Sequence, residues 1–203
     1  MARLPRSFFA RDTVAVARAL LGQRLVHRLP DGARLAGLIT ETEAYVGEAD
    51  LACHARAGRT ARTAVMYGRP GLAYVYFIYG NHWCLNVVTE RAGFPAAVLI
   101  RALQPAEGLD VIERHRAGRP ARHWADGPGK LTEALAIGRP ANGADLCARA
   151  ARLFLERAPA PPAAEISAGP RVGIDSAPEP WRSLAWNFRW TPAGPQRARP
   201  VGV

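Results

Sequence analysis

Between residues 23 and 102 the chain carries five short apolar runs rich in β-branched and aromatic residues, at 23–28, 34–45, 72–79, 83–88 and 96–102. Such side chains pack well on a pleated, half-buried surface, and glycine, proline or aspartate punctuates the gaps between the runs. Leu29-Pro30-Asp31-Gly32 is tight-turn chemistry, so the first two runs form a β-hairpin. Further strands are predicted at 152–156 and 170–174. Helical spacing is confined to residues 13–21, 106–116 and 130–137; Asp12 is placed to cap the first of these and Gly22 to stop it. Strands outnumber βαβ patterns, which predicts an α+β class. The expected architecture is one domain over residues 1–190, with a mixed, mostly antiparallel sheet, a protruding β-hairpin and flanking helices. Nearly half of the 203 residues are hydrophobic, enough for one core. Residues 191–203, rich in Pro, Gly and Arg, are expected to be a disordered basic tail.

The charge balance points to a polyanionic partner: 27 Lys plus Arg against 17 Asp plus Glu give a formal +10. Its weight is tempered by a bias toward arginine, since Lys130 is the only lysine. Cys53, Cys84 and Cys147 form no C-x-x-C pair, so neither a disulfide framework nor a tetrahedral zinc site is legible. No metal and no cofactor are expected. The sequence carries no apolar run of membrane-spanning length, and charges stand where a secretory signal would need its apolar stretch. The expectation is a cytoplasmic, nucleoid-associated monomer without membrane contact.

Two strands carry the candidate chemistry. In Leu38-Ile39-Thr40-Glu41-Thr42-Glu43-Ala44-Tyr45 the two-residue period puts Glu41, Glu43 and Tyr45 on one face. Alone, a strand with two glutamates is more often solvated surface. The second strand, Leu72 onward, carries Tyr74 and Tyr76 on one face and Tyr79 on the other, beside a Gly80-Asn81-His82 turn. Aromatics in strands usually serve packing, but three around one hairpin offer flat rings to stacking partners such as bases. Residues 54–71, polar, basic and glycine-rich, are predicted as a long surface loop.

The blocks ETEAY at 41–45, HARAGRT from His54, YVYFIYGNHWCLN at 74–86, VLIRALQP at 98–105, GPGKLTEALAI at 127–137 and RVGI at 171–174, in this order, resemble the alkyladenine (3-methyladenine) DNA glycosylase family. The resemblance spans residues 4–190. It implies a monofunctional hydrolase of base excision repair that flips an alkylated or deaminated purine out of double-stranded DNA and cuts its N-glycosidic bond. Glu43 matches the general base that activates water, Arg101 the arginine that positions that water, and Val172 a residue whose backbone carbonyl holds it. Tyr45, His54 and Tyr76 match residues that sandwich the flipped base; Asn86 matches one that crowds guanine's amino group. Tyr79 matches the residue that fills the vacated gap in the duplex. Lys130, Arg59 and Arg62 are candidates for DNA backbone contacts.

The sequence departs from eukaryotic members of that family at the hairpin tip, where Asn81-His82 replaces a Met-Tyr pair. A strand-cleaving lyase would need an amine at the sugar, and the single lysine lies far in sequence from Glu43. The Asp126-Gly127-Pro128-Gly129-Lys130 segment departs from a triphosphate-binding loop at Trp124 and Leu131. The competing reading is a damaged-DNA-binding module that has lost catalysis; such a module has no need of Glu43 or Arg101.

Overall fold

The protein is described here by a computed structural model covering residues 1–78 and 80–191. Among the described residues, eight strands form one sheet: β1 (Arg24–Arg28), β2 (Arg34–Val46), β3 (Ala73–Ile78), β4 (His82–Val88), β5 (Ala96–Glu107), β6 (Leu153–Glu156), β7 (Ile166–Gly169) and β8 (Asn187–Trp190). Their main order is β3-β4-β5-β2-β1-β6; β8 pairs with both β2 and β7. The strand pairings are antiparallel. Four α-helices among the described residues accompany the sheet: α1 (Arg6–Phe9), α2 (Thr13–Leu20), α3 (Leu109–His115) and α4 (Pro128–Ala134). The α+β expectation and the hairpin at the sheet edge, β3 with β4, are borne out.

Local chemistry explains these elements. The Asp12 carboxylate accepts from the Ala15 N–H at 2.8 Å, capping α2, and Gly22 ends that segment at φ +76°, where a side chain would be strained. Helix α2 buries Val16, Ala17 and Leu20, and α4, with proline in its first turn, buries Leu131 and Ala134. They close one core with Leu25, Leu35 and Ile39 of β1 and β2 and with Leu85, Val98 and Ile100 of β4 and β5.

Three expectations need correction. The helix predicted from residue 106 begins at Leu109, because Ala106 and Glu107 prolong β5, where Glu107 pairs in register with Ala36 and ion-pairs with Arg24 and Arg34. Gly108, at φ +69°, makes the break between strand and helix. The strand predicted at 170–174 does not form: the Arg171 side chain turns inward to Asp50 and Gly173 takes φ +76°. The pairing is made instead by β7 and β8, the latter carrying a short Phe188/Trp190 alternation. Finally, the loop at 54–71 holds two 3-10 turns, His54–Ala57 and Ala64–Tyr67. Cys53, Ala55 and Met66 anchor it in a second core cluster with Tyr74. Of the tail predicted to be disordered, 191–203, residues 192–203 lie outside the described residues, as does Tyr79.

Candidate active site

Glu43 and Glu41 approach the middle of the sheet on β2, with a break in register beside Glu41, and both reach one guanidinium from β5. Arg101 donates from Nε to Glu41 at 3.0 Å and from Nη1 to Glu43 at 3.3 Å. Glu43 is sealed from solvent, at 0% exposure. Its Oε2 also accepts the Tyr45 hydroxyl at 2.9 Å, while Oε1 accepts the Val172 N–H at 2.7 Å and Asn187 Nδ2 at 3.0 Å. These four donors fill the acceptor sites of a carboxylate. The period-two face predicted for Glu41, Glu43 and Tyr45 is present, and far from solvated. Burial opposes the charge of Arg101, but the Glu43 and Glu41 carboxylates outweigh it and hold its pKa above the ordinary value.

A cleft of about 410 Å³ opens in front of this group, and Tyr45, Arg101 and Val172 form part of its wall. Tyr76, His54 and Asn86 complete the set that sequence reasoning grouped together, and Lys130 lines the same cleft. The His54 and Tyr76 rings meet edge to face with centroids 4.5 Å apart, and Tyr74 lies tilted 5.3 Å from Tyr76. His54 Nδ1 shares a hydrogen bond of 3.0 Å with the Tyr74 hydroxyl. Burial, with Arg62 and Arg56 nearby, lowers the His54 pKa to about 4, so the imidazole is neutral at pH 7. Tyr45 is pushed well above the usual phenol range, chiefly by burial and then by the Glu43 carboxylate. Asn86 is buried on β4, where its Nδ2 donates to the Tyr74 carbonyl at 3.1 Å.

The three backbone candidates are less uniform. Arg59 is exposed, its guanidinium 5.9 Å from the Tyr67 ring. Arg62 is exposed as well, its guanidinium 5.2 Å from the ring of Tyr76, which lines the cleft. Lys130 holds Asp126 at 2.8 Å in a half-exposed pair. Its distance in sequence from Glu43 therefore does not translate into distance from the cleft.

Sequence reasoning missed several neighbours. Asn187 bridges both carboxylates, with Nδ2 at 2.7 Å from Glu41 and 3.0 Å from Glu43, and its only local signal was the short aromatic alternation after it. The two-residue period puts Glu41 on the correct face but assigns it no role. Asp50 and Arg171 form a pair with no exposed side-chain surface, 121 residues apart in the chain, a separation no periodicity reveals. Among the described residues no group of three or more His, Cys, Asp or Glu could hold a metal ion, and no helix is long and apolar enough to cross a membrane.

Aromatic rings and an arginine line one cleft of a strongly basic chain, and that arginine and Tyr45 hold a buried carboxylate behind it, an arrangement that suits the class of enzymes acting on nucleic acid. The comparisons narrow it. The family model described as methylpurine-DNA glycosylase matches residues 7–194, and the chain belongs to that family. Three similar proteins carry the name "Putative 3-methyladenine DNA glycosylase". The one from Methanocella arvoryzae is 53% identical over 88% of this chain and 90% of its own length. That from Anaeromyxobacter dehalogenans strain 2CP-C is 52% identical over 92% and 82% respectively. The Myxococcus xanthus protein is 46% identical over 97% and 96%.

Proposed function

We propose that this protein is a monofunctional DNA glycosylase that flips an alkylated or deaminated purine from duplex DNA and hydrolyses its N-glycosidic bond with a water activated by Glu43. The observation that carries this reading is the sealed Glu43 carboxylate, bonded to Arg101 and to the Tyr45 hydroxyl at the back of an aromatic cleft. The nucleophile must reach a carboxylate that solvent does not touch. Its entry is easiest between Arg101 and Oε2, since that 3.3 Å contact is the longest of the four. Arg101 then holds the water as Glu43 takes its proton, and the oxygen attacks C1′ while the base departs. The Val172 carbonyl is the third support for that water; the same residue's N–H already steadies Oε1.

The flipped base stacks among Tyr45, His54 and Tyr76. A neutral His54 suits this task, because an imidazolium would repel a cationic alkylpurine. Asn86 crowds the amino group of guanine, which biases the pocket by unfavourable contact. Tyr79 is assigned to the gap in the duplex on the family resemblance alone. Lys130, Arg59 and Arg62 contact DNA phosphates, Arg62 close enough to Tyr76 to sense the flipped nucleotide. Monomeric action in the cytoplasm, on nucleoid DNA, fits the reading.

Lys130 at the cleft makes the absence of lyase chemistry a matter to test. Its ammonium is engaged by Asp126 at the rim, which disfavours attack on a sugar carbon. Incubation with duplexes carrying 3-methyladenine, 7-methylguanine, hypoxanthine or ethenoadenine should release free base, leave the strand uncut, and give no covalent adduct with borohydride. A borohydride-trapped complex would replace the water mechanism with a Schiff base. The competing reading, a catalytically inactive damaged-DNA-binding module, predicts binding with no base released.

A further inference from the structure

The buried Asp50–Arg171 pair has no place in the chemistry above, yet it touches the back of nearly every part of it. The Arg171 fork meets Asp50 at 2.5 and 2.9 Å, and both side chains are at 0% exposure. Nη1 also donates to the Ala44 carbonyl on β2 at 3.0 Å, and Nη2 to the Trp181 carbonyl at 3.2 Å. Its guanidinium carbon lies 4.7 Å from the Tyr45 ring centroid and 5.0 Å from that of Trp186, the residue before Asn187. Asp50 in turn accepts from the N–H groups of Val46 and Ala52, and its carbonyl accepts from Cys53, fixing the turn that delivers His54. The next residue after Arg171 is Val172, whose N–H holds Glu43.

Two charges withdrawn completely from water are costly to bury, and they persist where the geometry they impose is needed. The geometry here has an electrostatic consequence. Tyr45 lines the cleft and Arg171 does not. The guanidinium therefore backs the ring on the side away from the base. A cation behind an aromatic ring draws on the same π density that a second cation would need in front.

We propose that Arg171, held by Asp50, is a positioning and specificity-determining residue: it sets the Glu43 and Tyr45 geometry, and its charge restrains the preference of the cleft for cationic over neutral damaged bases. This rests on the glycosylase reading above. The bidentate fork does the positioning and the positive charge does the discriminating, so the two can be separated by substitution.

The test is single-turnover excision from one duplex sequence carrying either 7-methylguanine, which is cationic, or hypoxanthine, which is neutral, with thermal melts of each variant. The Asp50→Asn/Arg171→Gln double variant removes both charges and leaves no lone buried ion. It should slow both reactions at least tenfold and raise the 7-methylguanine to hypoxanthine rate ratio at least threefold over wild type. Arg171→Lys keeps the charge and loses the fork, so it should slow both bases with the ratio held within twofold. An unchanged ratio in the double variant overturns the inference, as does a ratio shifted threefold or more in Arg171→Lys. If the double variant melts below the assay temperature, Arg171→Lys alone decides. Wild type that releases neither these bases nor 3-methyladenine or ethenoadenine overturns the glycosylase reading and this inference with it; wild type active only on 3-methyladenine or ethenoadenine, or active with contrary ratios, overturns this inference alone.

Discussion

Strand β2 carries ion pairs at both ends, and the two ends could hardly be more different. At its start Arg34 joins Glu107 and the buried Glu156 in a network with Arg24 that solvent reaches only in part, mainly at Arg34 and Glu107. Arg3, Arg28 and Arg34 lie over the Phe154 ring, which covers a small outer cluster with Val26 and Ala36. Toward its other end Glu43 sits at 0% exposure among Arg101, Asn187 and Tyr45, with the Asp50–Arg171 pair behind. Water reaches Arg34 and Glu107 in the first network; it does not reach Glu43 in the second. Wet ion pairs contribute little to stability, whereas stripping one partner from a sealed pair leaves an uncompensated charge. The same residue types on the same strand thus serve a solvated sheet face at one end and a chemical site at the other.

Substitutions at the two ends should separate them. The largest effect is expected at the sealed end, where Arg101→Gln leaves Glu41 and Glu43 without their shared cation. Excision should fall by ~10²- to 10³-fold and stability by about 3 kcal/mol, read by single-turnover kinetics and urea unfolding. A smaller effect is expected at His54, between the two regimes. Its folded pKa, near 4, lies below the ordinary 6.5, so the unfolded chain binds its proton first. The contribution of the neutral imidazole is complete above pH 6.5 and is lost as pH falls toward about 4. Urea midpoints of wild type and His54→Gln should therefore converge between pH 7 and pH 4.5; a gap that widens with acid would reverse the sign. The smallest effect belongs to the partly solvated end: Arg34→Ala should cost about 1–2 kcal/mol and leave the excision rate unchanged. If Arg34→Ala slowed excision as Arg101→Gln does, the contrast between the two ends would collapse.

Much of this contrast was legible in the sequence, and the missing parts share a cause. The Glu41/Glu43/Tyr45 face and the Tyr74/Tyr76 pair follow from the two-residue period of single strands, so they could be read locally. The hairpin at Leu29-Pro30-Asp31-Gly32 and the Asp12 cap are likewise chemistry between near neighbours. Asn187 reaches Glu43 across 144 residues and Arg171 reaches Asp50 across 121, and neither belongs to a long periodic segment. A residue whose partner is set by tertiary packing leaves no local trace. The overextended helix at 106–116 failed for a related reason: Glu107 is helix-compatible by propensity, but its ion pairs with Arg24 and Arg34 keep it in β5. Lys130 shows the converse, since sequence distance suggested separation from Glu43 and folding brought it to the same cleft.

Glu43 is the proposed base in this member of the methylpurine-DNA glycosylase family. Glu43→Gln keeps the shape of the side chain and removes the proton acceptor. Affinity for a duplex with a damaged purine and its single-turnover excision should be measured on the same preparation. Affinity within threefold of wild type, with excision slowed ~10³-fold or more, is the outcome this account predicts. Excision at the wild-type rate would contradict it.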